Sequence, residues 1–129
     1  MERVTGIGGF FFTAKDPGGL ADWYETHLGV DPPPRSYGVA SWQQQSGSTV
    51  FAPMPAGTDT THLLDAKHPW AINFRVVDLD AMVRQLRAAA IEVVEDTETY
   101  PNGRFADLRD PEGNAIQLWQ PAGADLDGR

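Results

Sequence analysis

Two helix-opening aspartates divide this chain into matching halves. Superposing Asp16 on Asp78 aligns strand-like segment with strand-like segment and helix-like with helix-like across roughly 120 residues, the signature of an internal duplication. Each copy reads as β-α-β-β-β. A single copy would leave one face of its sheet bare, so the pairing of two copies is what the pattern predicts. The expected fold is therefore α+β: two βαβββ modules in one chain, forming a curved mixed sheet around a concave cavity. Module 1 is expected over about residues 3–55, a linker over about 56–69, module 2 over about 70–121 and a loose tail over 122–129.

The local signals follow from capping and periodicity. In the first half, residues 4–14 are rich in β-formers, with Gly6, Gly8 and Gly9 weakening the strand locally. Asp16 is a good N-cap and Pro17 fits the first helical turn. Leu20, Trp23, Tyr24 and Leu28 recur at helical spacing, and Gly29 supplies the stop. Three consecutive prolines make 31–36 a loop, and residues 37–43 and 48–52 read as strands about the turn at 45–47. Residues 53–69 form a long polar connection. In the second half, residues 70–77 alternate apolar and polar, and Asp78 caps a helix carrying Leu79, Met82, Val83 and Leu86 on one face. Residues 92–96, 104–108 and 115–119 read as strands, the last two joined by a turn at 110–114.

Composition narrows the function classes. Eighteen acidic residues against ten basic ones give a net charge of -8 in 129 residues, and the basic ones are scattered. Such a surface repels a phosphate backbone, so nucleic acid is not expected as a partner. The absence of cysteine excludes disulfides and thiolate metal sites. No segment reads as a membrane span or a secretion signal, and the expectation is a soluble, cytoplasmic protein.

The strand alternation nominates a cavity lining. Phe11 and Thr13 in the first copy and Asn73 and Arg75 in the second point away from the helices. Ile116 and Leu118 pack toward them, so Ala115, Gln117 and Trp119 face the cavity. Trp42, Phe51, Tyr100 and Phe105 add aromatic surface, which serves either as core or as the wall of a pocket for a flat ligand. Arg75 in mid-strand calls either for a salt bridge to Glu95 or Asp107, or for an anionic or carbonyl-bearing ligand. His27, His62 and His68 show no metal-ligand spacing and read as surface or capping residues; His68 stands just before a strand. Ser36, Ser41, Ser46 and Ser48 lack a nucleophile elbow, and the glycines at 6–9 do not lead directly into a helix as a phosphate cradle requires.

The stretches "GIGGFFFTAKDPGGLADWYETHLGV", "INFRVVDLDAMVRQLRAAAIEVV" and "YPNGRFADLRDPEGNAIQLWQP", with the duplicated plan, resemble the glyoxalase, bleomycin-resistance and extradiol-dioxygenase superfamily, the vicinal oxygen chelate proteins. The resemblance covers residues 3–121. It implies a homodimer, and in the enzymes a divalent metal held by His and Glu on the first and last strands of each module. Those positions correspond to Gly9, Ala71, Phe51 and Gln117 in this chain, of which only Gln117 offers an oxygen. The leading expectation is a small-molecule-binding protein without the usual metal or any other cofactor, sequestering a toxic or antibiotic compound. The alternative is a metal-dependent lyase, isomerase or dioxygenase with displaced ligands such as Gln117 with His68 or Glu95. A third is a purely structural module with a filled cavity. A 53–69 connection laid over the cavity favours ligand binding; one packed elsewhere does not.

Overall fold

A computed structural model describes residues 1–60 and 62–127. Helix α1 (Pro17–Leu28) starts and stops as its sequence predicts. The Asp16 carboxylate accepts the Gly19 N–H at 3.1 Å, and Gly29 ends the helix in the left-handed region at φ 72°. Strand β1 (Ile72–Arg75) leads into α2 (Leu79–Ala88), capped by Asp78 on the Ala81 N–H at 3.0 Å. Strands β2 (Val94–Glu95), β3 (Gly103–Arg109) and β4 (Ala115–Pro121) follow, then a short helix α3 (Ala124–Asp127). The sheet order is β1-β4-β3-β2, with β1 parallel to β4 and the other pairs antiparallel.

One face of this sheet carries the core. Ile72 and Phe74, Ile116 and Leu118, and Leu108 and Ala106 stand in register across β1, β4 and β3. They meet Leu20 and Tyr24 of α1 and Leu79, Val83 and Leu86 of α2, so both helices cover the same face. Leu79, Leu86, Ile116 and Leu118 are fully buried, each contributing about 1.5–3 kcal/mol of transfer free energy.

The second half therefore forms one complete βαβββ unit, while the first half contributes α1 without its strands. Residues 4–14, 37–43 and 48–52, expected as strands, run without a ladder. Alternation makes a segment fit for a sheet, but only a hydrogen-bonding edge makes it a strand, and here Gly6, Gly8, Gly9 and the flanking prolines weaken the segments further. Val4, Ile7, Phe11, Val39, Val50 and Phe51 stay exposed, whereas Phe10 and Phe12 pack on Trp70 with ring centroids 5.1 and 5.3 Å away. The tail also differs from the expected loose end: residues 124–127 are helical, and the Ser48 hydroxyl donates to the Asp125 carbonyl at 3.1 Å. Thr61 of the linker and residues 128–129 of the tail lie outside the described residues.

Candidate functional site

The sheet face away from α1 and α2 is ordered in rows, because side chains of one parity on paired strands stand side by side. The first row runs Asn73, Gln117, Asp107 across β1, β4 and β3; the second runs Arg75, Trp119, Phe105. Asn73 donates its amide Nδ2–H to Gln117 Oε1 at 2.8 Å. Phe105 and Trp119 stack with their planes 2° apart and centroids at 6.3 Å, and Tyr100 meets Phe105 edge-on at 5.9 Å. Trp119 is buried and its indole N–H donates to the Asn102 carbonyl at 2.8 Å. Gly103 lets the strands close at this end: a Cβ there would collide with the Gln120 carbonyl, and its φ of 133° is open to glycine alone.

The charges on this face have physical causes of their own. Arg75 makes neither ion pair expected for it. Its Nη2–H donates to the Gln45 carbonyl at 2.8 Å, because the 45–48 segment crosses above β1, while Glu95 takes Arg87 and Arg104 instead. Tyr100 donates to Asp96 at 2.8 Å, and that bond pushes the phenol up to about 12. Burial raises the Asp107 carboxyl above the ordinary carboxylate range, with His62 and Gln117 drawing it partly back. His62 Nε2 lies 3.8 Å from Asp107 Oδ2, so part of the polar connection rests on the sheet face. Among the described residues Asp107 Oδ1 is closed to solvent and lacks a well-formed hydrogen bond.

The ten residues nominated from the sequence are thus only partly gathered. Asn73, Arg75, Phe105, Gln117 and Trp119 share the two rows, and Tyr100 joins them through Phe105. Phe11 and Phe51 are 93% and 82% exposed, and Trp42 lies at the surface, all on segments that have no ladder. Thr13 lies elsewhere, in a cleft of about 140 Å³ lined with Phe12, Lys67, His68, Trp70, Asn114 and Ala115. His68 there pairs with Asp65, its Nδ1 3.1 Å from Oδ1; that carboxyl is held low chiefly by the His68 backbone N–H. From the sequence, Asp107 stands out only as a partner for Arg75. Its place two residues after Phe105 was the available signal that it shares the Phe105 face.

The donor set does not suit the metal of the resembled enzymes. Gly9, Ala71 and Phe51 have no ligand atom, and Gln117 Oε1 is already engaged by Asn73. Among the described residues no three His, Asp or Glu side chains converge. Divalent cations of this kind are held by carboxylate and imidazole donors, so the four positions offer neither the charge nor the number of ligands needed.

Comparison with known proteins places these features. The family described as the Glyoxalase/Bleomycin resistance protein/Dioxygenase superfamily matches residues 6–118. Anthracycline biosynthesis protein DnrV of Streptomyces peucetius is 35% identical over 122 residues, covering 90% of this chain and 43% of that protein. The chain thus spans less than half the length of that relative. TnmS3, an antibiotic binding protein from Streptomyces sp. CB03234, has a crystal structure that superposes with a TM-score of 0.58 at 20% identity, covering 95% of this chain and all of that one. A glyoxalase/bleomycin resistance protein from the same strain matches 45% of this chain and 55% of its own, at 31% identity and a TM-score of 0.35.

Proposed function

The chain belongs to the Glyoxalase/Bleomycin resistance protein/Dioxygenase superfamily, and from that premise we propose that it binds a planar, polycyclic small molecule of the antibiotic type without making or breaking a bond. The observation that carries this reading is the two-row face: a stacked aromatic pair beside an amide pair, on the side of the sheet that the helices leave free. Flat apolar surface with a few convergent polar groups is the ordinary chemistry of a small-molecule site. The resting of His62 on Asp107 adds support, since it lays the connection against the same face. DnrV, by its name a protein of anthracycline biosynthesis, suggests the ligand class.

In this proposal no metal takes part, because the superfamily's ligand positions carry no suitable donors. The first-half segments complete module 1 of the family plan when two chains associate as a homodimer, and the protein acts in the cytoplasm. The test is a titration with daunorubicin, an anthracycline, followed by quenching of tryptophan fluorescence. Saturable quenching that weakens on replacing Trp119 with leucine is the expected result. Absence of saturable binding overturns the reading.

A further inference from the structure

Arg75 is a half-buried cation in mid-strand that forms no ion pair among the described residues; its guanidinium holds the Gln45 carbonyl instead, at 2.8 Å. We propose that residues 45–48 are a strap across the aromatic row, latched by Arg75, and that a carboxylate on a planar aromatic ligand releases the strap by taking the guanidinium from Gln45. This assignment rests on the binding reading above and specifies the chemistry of what is bound.

Trp119 stands beside Arg75 on the face that α1 and α2 leave free, yet it is only 3% exposed. Cover on that face has to come from chain outside the sheet. Residues 45–48 pass over Arg75 and are tied again beyond the end of β4, where the Ser48 hydroxyl donates to the Asp125 carbonyl at 3.1 Å. The approach is as close as backbone allows, since a Cβ on Gly47 would overlap Arg75 Nη1. Residues 41–50 enter no ladder, so among the described residues these two side-chain bonds are what ties the strap down. A segment held so lightly opens at small cost.

The latch itself has no need of a charge, because any amide or hydroxyl donor can hold a neutral carbonyl. A guanidinium drawn partly out of water without a counter-ion is costly, and the sheet's own carboxylates do not supply one. Glu95 is in register with Ala106 and so leaves the sheet on the helix side, where it takes Arg87 and Arg104. Asp107 stands two strands away in the other row, against His62. The missing charge is then the ligand's. A neutral carbonyl on a ligand would replace Gln45 like for like and shift nothing. A carboxylate forms charge-assisted bonds about twice as strong and offers two oxygens to the planar fork, and that difference lifts the strap. Arg75, Trp119 and Phe105 share one row, so a ring laid against the uncovered aromatic pair brings a carboxylate on its edge to the guanidinium.

The experiment compares 2-naphthoate with 2-naphthamide, its neutral counterpart of the same shape, on the full chain by calorimetry at low salt. Wild-type protein is expected to prefer 2-naphthoate by about fivefold or more, the difference between a charged and a neutral acceptor. Arg75→Gln keeps a donor for the Gln45 carbonyl but carries no charge, and its preference is expected to vanish. Gly47→Ala breaks the latch whichever of the two groups gives way, and is expected to bind both compounds several times more tightly than wild-type protein. Gly47 is exposed, so this variant decides the matter if the glutamine variant does not fold. Equal binding of the two compounds by wild-type protein, a preference that survives Arg75→Gln, or binding by Gly47→Ala no tighter than wild type overturns the proposal and leaves the binding reading intact. Failure of both naphthalenes to bind overturns it as well, and only failure of daunorubicin in addition overturns the reading beneath it.

Discussion

Asp110 and Asp107 are near neighbours on the chain with opposite fates. Asp110 is 4% exposed but fully engaged: it accepts from the Tyr24 hydroxyl at 2.8 Å, the Glu112 and Asn114 backbone N–H groups and the Asn114 side chain. Burial, then the Asp110 bond and charge, drive the Tyr24 phenol far above its ordinary value, so the bond persists throughout the working pH range. Tyr24→Phe is expected to cost about 1–3 kcal/mol in urea unfolding, because it takes one donor from a buried carboxylate. Asp107 has the reverse balance. Its folded-state pKa is raised above 3.8, mainly by burial, so the folded protein holds that proton more tightly than the unfolded chain does. Its contribution to stability is therefore fully present below the unfolded value and lost as pH rises through the folded one. Asp107→Asn should raise the melting temperature at neutral pH, with the gain shrinking as the buffer approaches pH 4. An equal gain at all pH values would contradict the assignment of burial as the cause.

At the scale of elements, the sheet depends on a few close approaches. Ile116→Ala should cost about 2–5 kcal/mol, since the side chain is fully buried beneath the helices and truncation leaves a cavity. Gly103→Ala should cost about 1–3 kcal/mol, read from the same denaturation curves, because the added methyl meets the Gln120 carbonyl and the backbone there has positive φ. Helices α1 and α2 and the four strands of the second half were legible in the sequence, because caps and alternation are local signals and the strands they mark find partners within the unit, whereas the short α3 was not. The first-half strands were equally visible as patterns, yet pairing depends on an edge that no local pattern specifies. The same distinction governs the site. Asn73, Gln117 and Trp119 followed from parity along their strands and Phe105 from its aromatic character, whereas the partner of Arg75 is a carbonyl of a loop whose path periodicity does not encode. The link between α1 and the 110–114 turn was likewise hidden: Glu112 accepts the Lys15 and Asp16 backbone N–H groups across nearly the whole chain.

For the molecule as a whole, the exposed Val4, Phe11, Val39, Val50 and Phe51 are a surface that an isolated chain gains nothing by keeping in water. The proposed homodimer predicts sedimentation at twice the chain mass and protection of residues 4–14 from hydrogen exchange at high concentration; a strictly monomeric species would refute it. Among the described residues no helix is long and apolar enough to cross a membrane. Protein purified without a metal-affinity tag should carry far less than one equivalent of zinc, nickel, manganese or iron, and chelation should leave its melting temperature unchanged. The pairing of β1 with β4 joins Ile72 to Ile116 and Arg75 to Trp119. During synthesis, therefore, the first strand of the unit must wait beside α2 with an open edge until the last strand has left the ribosome. Truncation before residue 115 removes the central seam rather than a rim, and a nascent chain halted there should remain sensitive to protease until the final strand emerges and shuts the sheet in one step.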